Sequence, residues 1–381
     1  MKHLNLSANR SGFLKRRVAE ATSIALCAAA LMAFSTHAAA VTYQVTDLGT
    51  LGGTSSSATG INNAGQVVGF ATIAGDAESH AVLWNGSTAT DLGTLGGTYS
   101  SANGINNAGQ VVGNAFDAGN TTNPATRWSG TTATALGTLG GNSGTGYGIN
   151  NAGQVAGVAA LDNGRNHAAV WNGTTATDLG TLGGPISYAY GINNAGQVAG
   201  YSYLAGFVFH AVLWDGTSAT DLGTLGGRNS RANALNDAGQ VVGYAYLSGD
   251  ALQHAVLWNG TTATDLGTLG GGSSYATGIN NGGQIVGYAE TAAYLTHATL
   301  WNGTTATDLN SFLSASQVAA GWTLDNAAGI NDNGSIVGGG YNSGTGEYHA
   351  FLLSAVPEPE TYALMLAGLG LLGVAMRRRP T

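Results

Sequence analysis

"GINNAGQVVG" (Gly60–Gly69) decides how this chain folds, because versions of it are written seven times. They begin at Gly60, Gly104, Gly148, Gly191, Ala234, Gly278 and Gly329, at spacings of 44, 44, 43, 43, 44 and 51 residues. A fixed period of this size marks a repeat architecture. Inside the phrase, two apolar-rich runs flank Asn-Ala-Gly, where glycine supplies the positive φ of a tight β connection. Downstream, "HAVLW" (His80–Trp84) and a Thr-rich run ending in Asp91 are joined by Asn85-Gly86; other copies use Asp-Gly or Ser-Gly here. That is a strong hairpin signal. Each unit therefore holds four short strands, A to D, and "LGTLGG" leads from D to the next A. Helical periodicity is absent from the repeats, and 62 glycines in 381 residues would cost helices dearly.

Four short antiparallel strands repeated at this period predict an all-β fold, a seven-bladed β-propeller of four-stranded antiparallel blades. The ends complement each other. The repeat region opens with a lone D-type strand in "VTYQVTDLGTLGG" (Val41–Gly53) and finishes on a lone C-type strand in "HAFLLS" (His349–Ser354). Pairing the N-terminal strand with the last blade would close the ring and remove an exposed sheet edge. A β-solenoid is the competing reading, and it would not need complementary ends.

The two termini read as addresses. Lys15, Arg16 and Arg17 precede the apolar run Ser23–Phe34, and small residues follow up to Ala40. That order describes a secretory signal peptide over residues 1–40, cleaved after Ala40 by signal peptidase. Residues 41–355 are the repeat domain. Residues 356–381 carry Val356, Pro357, Glu358 and Pro359, then an apolar segment (Tyr362–Met376) and Arg377–Arg379. This order resembles the PEP-CTERM sorting signal of exopolysaccharide-producing Gram-negative bacteria. The resemblance implies transient membrane anchoring through the C-terminal helix, cleavage near Pro-Glu-Pro by an exosortase, and release or attachment at the cell surface or in the extracellular matrix.

The repeat domain has no cysteine, since Cys27 lies in the signal core, so neither disulfides nor thiol chemistry serve it. Its only basic residues are Arg127, Arg165, Arg228 and Arg231, against 17 acidic ones, a net charge of −13. Nothing there neutralises a phosphate backbone, and nucleic acid is excluded as an expected partner. The "GIN-x-x-G-x-V-V-G" and "DLG-x-LGG" segments, with His349-Ala350-Phe351, also resemble the extracellular HAF-repeat family across nearly all of residues 44–354. That resemblance implies an extracellular place and brings little mechanism.

Six times a histidine stands eleven residues ahead of an aspartate, or is left to pair with one at the N-terminus. With Asn85-Gly86 as the two-residue turn, Trp84 faces Ser87 and His80 falls directly across from Asp91. The same arithmetic pairs His167 with Asp178, His210 with Asp221, His254 with Asp265 and His297 with Asp308. His349 can meet only Asp47 of the N-terminal strand. In the odd copy both partners are replaced together, by Pro124 and Ala135. A histidine beside a carboxylate suits general acid–base chemistry, but repetition at equivalent positions is how scaffolds are built. One histidine per blade falls short of the three or four ligands of a zinc site. These pairs are expected to be structural, with no catalytic residue, metal or cofactor.

Trp84, Trp128, Trp171, Trp214, Trp258 and Trp301 precede the C–D turn and are expected to pack between blades; a ring of sugar-stacking aromatics is the alternative. The Asn-Gly-Thr and Asn-Gly-Ser triplets and "NDNG" (Asn331–Gly334) read as turns. The B–C loops differ between copies, whereas the A–B and C–D turns hardly change. Variable loops on a rigid frame are where binding resides. Arg165, Arg228, Arg231, Tyr201, Tyr244 and Tyr288 belong to that face, and the long connection Leu309–Asn326 is expected to cover part of it with a short helix. Tyrosines with carboxylates and few cations suit a neutral polysaccharide or a protein partner. The expectation is an exported, non-catalytic cell-surface or biofilm-matrix protein. The alternative is a secreted propeller enzyme, a glycoside hydrolase or lyase, which needs a unique pair of carboxylates.

Overall fold

The computed structural model describes residues 42–356; the signal peptide with Ala40 lies outside the described residues, as does the sorting segment after Val356. Tyr43–Ala355 forms one compact unit. Its 28 strands fall into seven antiparallel sets of four, interrupted only by a 3-10 turn (Leu309–Phe312) and a short α-helix (Ala315–Ala319). Neither helix is long or apolar enough to cross a membrane. In set 1, strands A to D are Gly52–Ile61, Gln66–Ile73, Ser79–Asn85 and Thr88–Asp91. Set 7 has only A to C in sequence (Trp322–Ile330, Ile336–Asn342, Glu347–Val356), and the N-terminal strand Thr42–Asp47 pairs with the last of these. Sets 3 to 6 are separate four-stranded sheets. Sets 7, 1 and 2 are linked into a 12-stranded sheet by single parallel bridges, Ser55 to Tyr348 and Ser79 to Tyr99. No sheet of the described residues closes on itself.

Seven apolar clusters lie between neighbouring sets rather than within them. Trp128 of set 2 packs with Val68, Ala81 and Leu92 of set 1, and Trp171 packs with Val112, Ala125 and Leu136 of set 2. Trp84 of set 1 packs on Val337 and Ala350 of set 7 and on Leu48. All six of these tryptophans are fully buried, so they are core and not a stacking surface. Burial of this kind is worth about 3–5 kcal/mol per indole, judged by truncation. Each set is thus only half of a core, and it needs a neighbour on either side.

The first asparagine of every "GINN" phrase is buried and ties each set to the next. Asn62 Oδ1 accepts from the backbone N–H of Ala64 and Gln66, closing its own A–B turn. Its Nδ2 donates to Gln66 Oε1 and to the carbonyl of Asn106 in set 2. Asn106, Asn150, Asn193, Asn236 and Asn280 do the same in turn, at 3.0–3.3 Å. Asn331 donates to the carbonyl of Asn62 at 3.0 Å, and the succession returns to its first member. Strand A is bulged just before this turn. The bulge drives the Ser57 carbonyl into the place where a side chain on Gly69 would stand, and the same holds for Gly113 and Ser101, so only glycine fits there.

The C–D hairpin corrects the expected register. Asn85 pairs with Thr88, Trp84 with Ala89 and Val82 with Asp91, so His80 is not directly opposite Asp91 but diagonal to it. The reason is the turn. Gly86 (φ 60°) is the first of two loop residues, the type II′ pattern, with Asn85 already in the strand. The diagonal still lies within reach of a long side chain. Histidine Nδ1 and carboxylate approach to 2.8 Å in His80–Asp91, 2.9 Å in His167–Asp178, 2.8 Å in His210–Asp221 and 2.9 Å in His254–Asp265. His297 meets Asp308 at 2.7 Å, and His349 meets Asp47 at 2.9 Å.

The aspartate also accepts the backbone N–H two residues on, as Asp91 does from Gly93 at 2.7 Å. The Gly93 carbonyl in turn takes a hydrogen bond from Ser100 of the next set, whose Oγ accepts the N–H of Ala81, beside His80. In the odd copy three positions change together: Pro124, Ala135, and Gly144 where Ser100 has its counterpart. There the Gly137 carbonyl instead accepts from Trp171 Nε1 at 2.6 Å.

Two stability measurements follow. Asn193→Ala strands the N–H groups of Ala195 and Gln197 and removes one of the two donors to the carbonyl of Asn236, and is expected to cost about 3 kcal/mol in denaturant unfolding. His210→Ala is expected to cost about 1 kcal/mol and Asp221→Ala about 2 kcal/mol, because the aspartate also holds Gly223. The double variant should cost less than the sum, and strict additivity would rule out a direct His–Asp contact.

Candidate functional site

Residues from all seven A strands line a central cavity of about 240 Å³. Two residues before the apolar residue of each phrase stand Thr59, Asn103, Tyr147, Tyr190, Asn233, Thr277 and Ala328. Four of these reach the backbone of the next set: Thr59 to Ala102, Asn103 to Gly146, Asn233 to Ala276 and Thr277 to Ala327, at 2.6–2.9 Å. Tyr147 and Tyr190 replace that linking role with aromatic surface. One strand-step further out stand Ser57, Ser101, Thr145, Tyr188, Arg231, Tyr275 and Asn326, opposite Phe70, Asn114, Val158, Tyr201, Tyr244, Tyr288 and Gly339 of the B strands. In sets 4, 5 and 6 these opposed pairs are Tyr–Tyr, Arg–Tyr and Tyr–Tyr. Here the repeat departs from itself.

These departures build a cavity of about 390 Å³, lined by Tyr190, Arg231, Asn233, Tyr244, Tyr275, Thr277 and Tyr288. Its walls are ordered by ring contacts. Tyr188 stacks on Tyr201 at 5.1 Å between centroids, Tyr275 stacks on Tyr288 at 4.7 Å, and Tyr147 leans on Tyr190 at 4.8 Å. The Arg231 guanidinium lies 4.0 Å from the centre of the Tyr190 ring and 5.7 Å from that of Tyr201. Gln253 donates to the Tyr275 hydroxyl. Burial raises the pKa of Tyr190, Tyr201, Tyr244 and Tyr288, and pushes Tyr275 up to about 12. The phenols are neutral hydrogen-bonding groups at physiological pH, and Arg231 is the one charge on the wall.

Of the residues expected on this face, Arg231, Tyr201, Tyr244 and Tyr288 come together. Arg165 is exposed in a loop and Arg228 is exposed near the start of the A strand Gly226–Leu235, and neither lines the cavity. The helix after Leu309 does not line it either. Instead Phe312 packs against Tyr43, and Gln317 Nε2 donates to the Val45 carbonyl, both on the N-terminal strand. Tyr147, Tyr188, Tyr190, Asn233 and Tyr275 escaped sequence reasoning. Their signal is the contrast between "TYSSANGI", "YAYGI", "RANAL" and "SSYATGI" at one register position.

Two loop tips on sets 4 and 6 expose aromatic side chains. Phe207 is 85% exposed with φ 64°, and Tyr294 is 82% exposed with φ 61°, whereas Asp76 and Asn120 hold the left-handed place in sets 1 and 2. A bulky residue there carries both strain and exposed apolar surface.

The cavity lined at the A–B turns is different. Asn63, Asn107, Asn151, Asn194, Asp237, Asn281 and Asp332 line a cavity of about 220 Å³. Each backbone N–H of this tier donates to the next side-chain oxygen. Burial pushes the Asp332 carboxyl up, but amides of Asn281 and Asn63 hold it below its ordinary range. That cavity is held by its own scaffold.

Alkaline titration tests the burial of the aromatic wall. Because the folded-state tyrosine pKa values lie above the ordinary 10.0, the unfolded chain loses these protons first. Stability is therefore whole below pH 10 and falls as pH rises from about 10 toward 12. Phenolate absorbance should show an exposed class near pH 10 and a second class that appears only with unfolding. A single class near pH 10 would show an open wall.

Comparison with known proteins finds the PEP-CTERM protein-sorting motif at residues 355–379. This is an exported protein, and the motif implies processing by an exosortase during export to the cell envelope or surface. A search of curated proteins finds no match. Among solved structures the chain is similar to TolB from Acinetobacter baumannii, at 12% identity and a TM-score of 0.44 over 76% of this chain and 63% of that one. It thus spans less than two thirds of that TolB. It is also similar to a putative TolB from Agrobacterium tumefaciens, at 13% identity and a TM-score of 0.40 over 61% of this chain and 83% of that one. A mutant of the Aleuria aurantia lectin AAL, in complex with Fucalpha1-6GlcNAc, matches at 12% identity and a TM-score of 0.37, over 80% of this chain and 98% of the lectin.

Proposed function

We propose that this chain is an exported, non-catalytic seven-bladed β-propeller of the HAF-repeat kind that binds polysaccharide at the cell surface or in the biofilm matrix. Blade closure is supported by the asparagine succession that returns to Asn62, and by the N-terminal strand pairing with Glu347–Val356. Residues 1–40 are removed by signal peptidase after Ala40. Residues 41–355 are the propeller. In 356–381, the apolar segment and arginines hold the chain at the membrane until exosortase cuts near Val356-Pro357-Glu358-Pro359.

One observation carries the binding reading. A scaffold whose linking residue recurs in sets 1, 2, 5 and 6 abandons it in the adjacent sets 3 and 4 for Tyr147 and Tyr190, and Tyr190 lines a cavity together with Arg231 of set 5. Flat phenol faces with hydroxyl donors at their edges suit the apolar faces and rim hydroxyls of sugars. Glycoside hydrolysis normally needs two carboxylates across the scissile bond, and the cavity wall offers phenols, an amide and a guanidinium in their place.

The test is a glycan array probed with the exported protein, together with a reducing-end assay for chain cleavage. Retention of a subset of glycans without shortening is expected, and Tyr190→Ala should weaken it by about ten-fold. Depolymerisation would replace this reading with an enzyme, and retention of no glycan would end it.

A further inference from the structure

Arg231 is the one basic residue of the cavity in a domain whose net charge is strongly negative. Every ion pair among the described residues is made by a histidine, so this guanidinium has no carboxylate opposite it. Its Nε–H is buried without a hydrogen-bond acceptor. Two residues along the same strand, Asn233 Oδ1 is buried without a donor, while the Nδ2 of that amide is engaged with Ala276. Buried polar atoms are almost always satisfied, and a buried charge left unpaired is costly. The wall therefore presents one unanswered cationic donor and one unanswered acceptor, framed by neutral phenols.

On the polysaccharide-binding reading above, we propose that this cavity selects an acidic sugar, a uronate residue, whose carboxylate pairs with Arg231 and whose ring hydroxyl donates to Asn233 Oδ1. A planar carboxylate matches the guanidinium fork. The hydroxyl requirement separates a uronate from a bare inorganic anion. Sulfate has no O–H to give and would leave Asn233 as it is. Tyr190, held against the guanidinium at 4.0 Å, keeps Arg231 aimed while its ring edge remains part of the wall. A neutral sugar would answer Asn233 but leave the charge unpaired.

The experiment is titration calorimetry on the exported protein with an oligogalacturonate, with the same oligomer after reduction of its carboxyls to alcohols, and with sodium sulfate. The acidic oligomer should bind at least about ten-fold more tightly than its reduced form, with sulfate weaker than both. Raising the salt should weaken the acidic oligomer far more than the reduced one. Arg231→Gln should bring the two oligomers to equal affinity, whereas Asn233→Ala should weaken both and keep the acidic preference. The salt dependence of the unaltered protein serves if Arg231→Gln does not fold. Equal binding of the two oligomers, or preference for the reduced one, would overturn the acidic selection and leave glycan binding standing. Binding of sulfate as tight as the uronate would also overturn it. Failure of both oligomers here, with neutral glycans retained on the array, would do the same, and failure on the array as well would remove both readings.

Discussion

One buried amide per repeat holds the arrangement together. The asparagine at position 62 and its six counterparts each close their own A–B turn with the side-chain oxygen and reach the neighbouring set with the nitrogen. Aspartate would lose the donor, glutamine would overshoot, and serine could not serve both sides at once. Each set also lends half of an apolar core to its neighbour, through one fully buried tryptophan in six of the seven. Polar and apolar linkages therefore run in opposite directions, the asparagine reaching the next set and the tryptophan packing on the preceding one. A lone set would satisfy neither, which is the logic of repeat proteins in which stability resides at interfaces.

The His–Asp pairs belong to a second, outer layer of the same scheme. Aspartate fixes the glycine two residues on, the glycine carbonyl meets a serine of the following set, and that serine returns to the strand beside the histidine. Set 2 shows that the loop is a unit. Pro124, Ala135 and Gly144 abandon it together, and Trp171 takes over the carbonyl that the serine would have held. The interface survives because the core beneath is unchanged.

Much of this was legible from residue patterns. The period of "GINNAGQVVG", the hairpin glycines and the complementary ends gave the strands, their grouping and the partner of Thr42–Asp47. The hairpin register did not follow, because Asn-Gly serves two turn types that differ by two residues in pairing, and what separates them is Asn85, which a type I′ loop would hold at positive φ and which here stays in the strand. The His80–Asp91 contact emerged anyway, since diagonal neighbours share a face. Asn62 is masked in the sequence because a glycine in the same turn already explains the bend, although the asparagine recurs in all seven copies, even where Gly60 becomes Ala234. The sequence brings Arg231 forward with Tyr201, Tyr244 and Tyr288, but a charge total counts cations without revealing that one has no carboxylate opposite it and a buried, unpartnered Nε–H. Such a fact lives in packing, where Tyr188, Tyr190 and Tyr275 gather from strands far apart in sequence.

Pairing Thr42–Asp47 with Glu347–Val356 brings Asp47 and His349 together across a separation of 302 residues. Joining such distant segments is entropically expensive and slow, and no earlier contact rewards it. The strand that is synthesised first must therefore wait unpaired until nearly the last residue of the domain has been made. Until then, the edge of the first sheet and the far edge of the seventh are open to other chains. The kinetics of assembly, more than final stability, set how long that edge stays exposed.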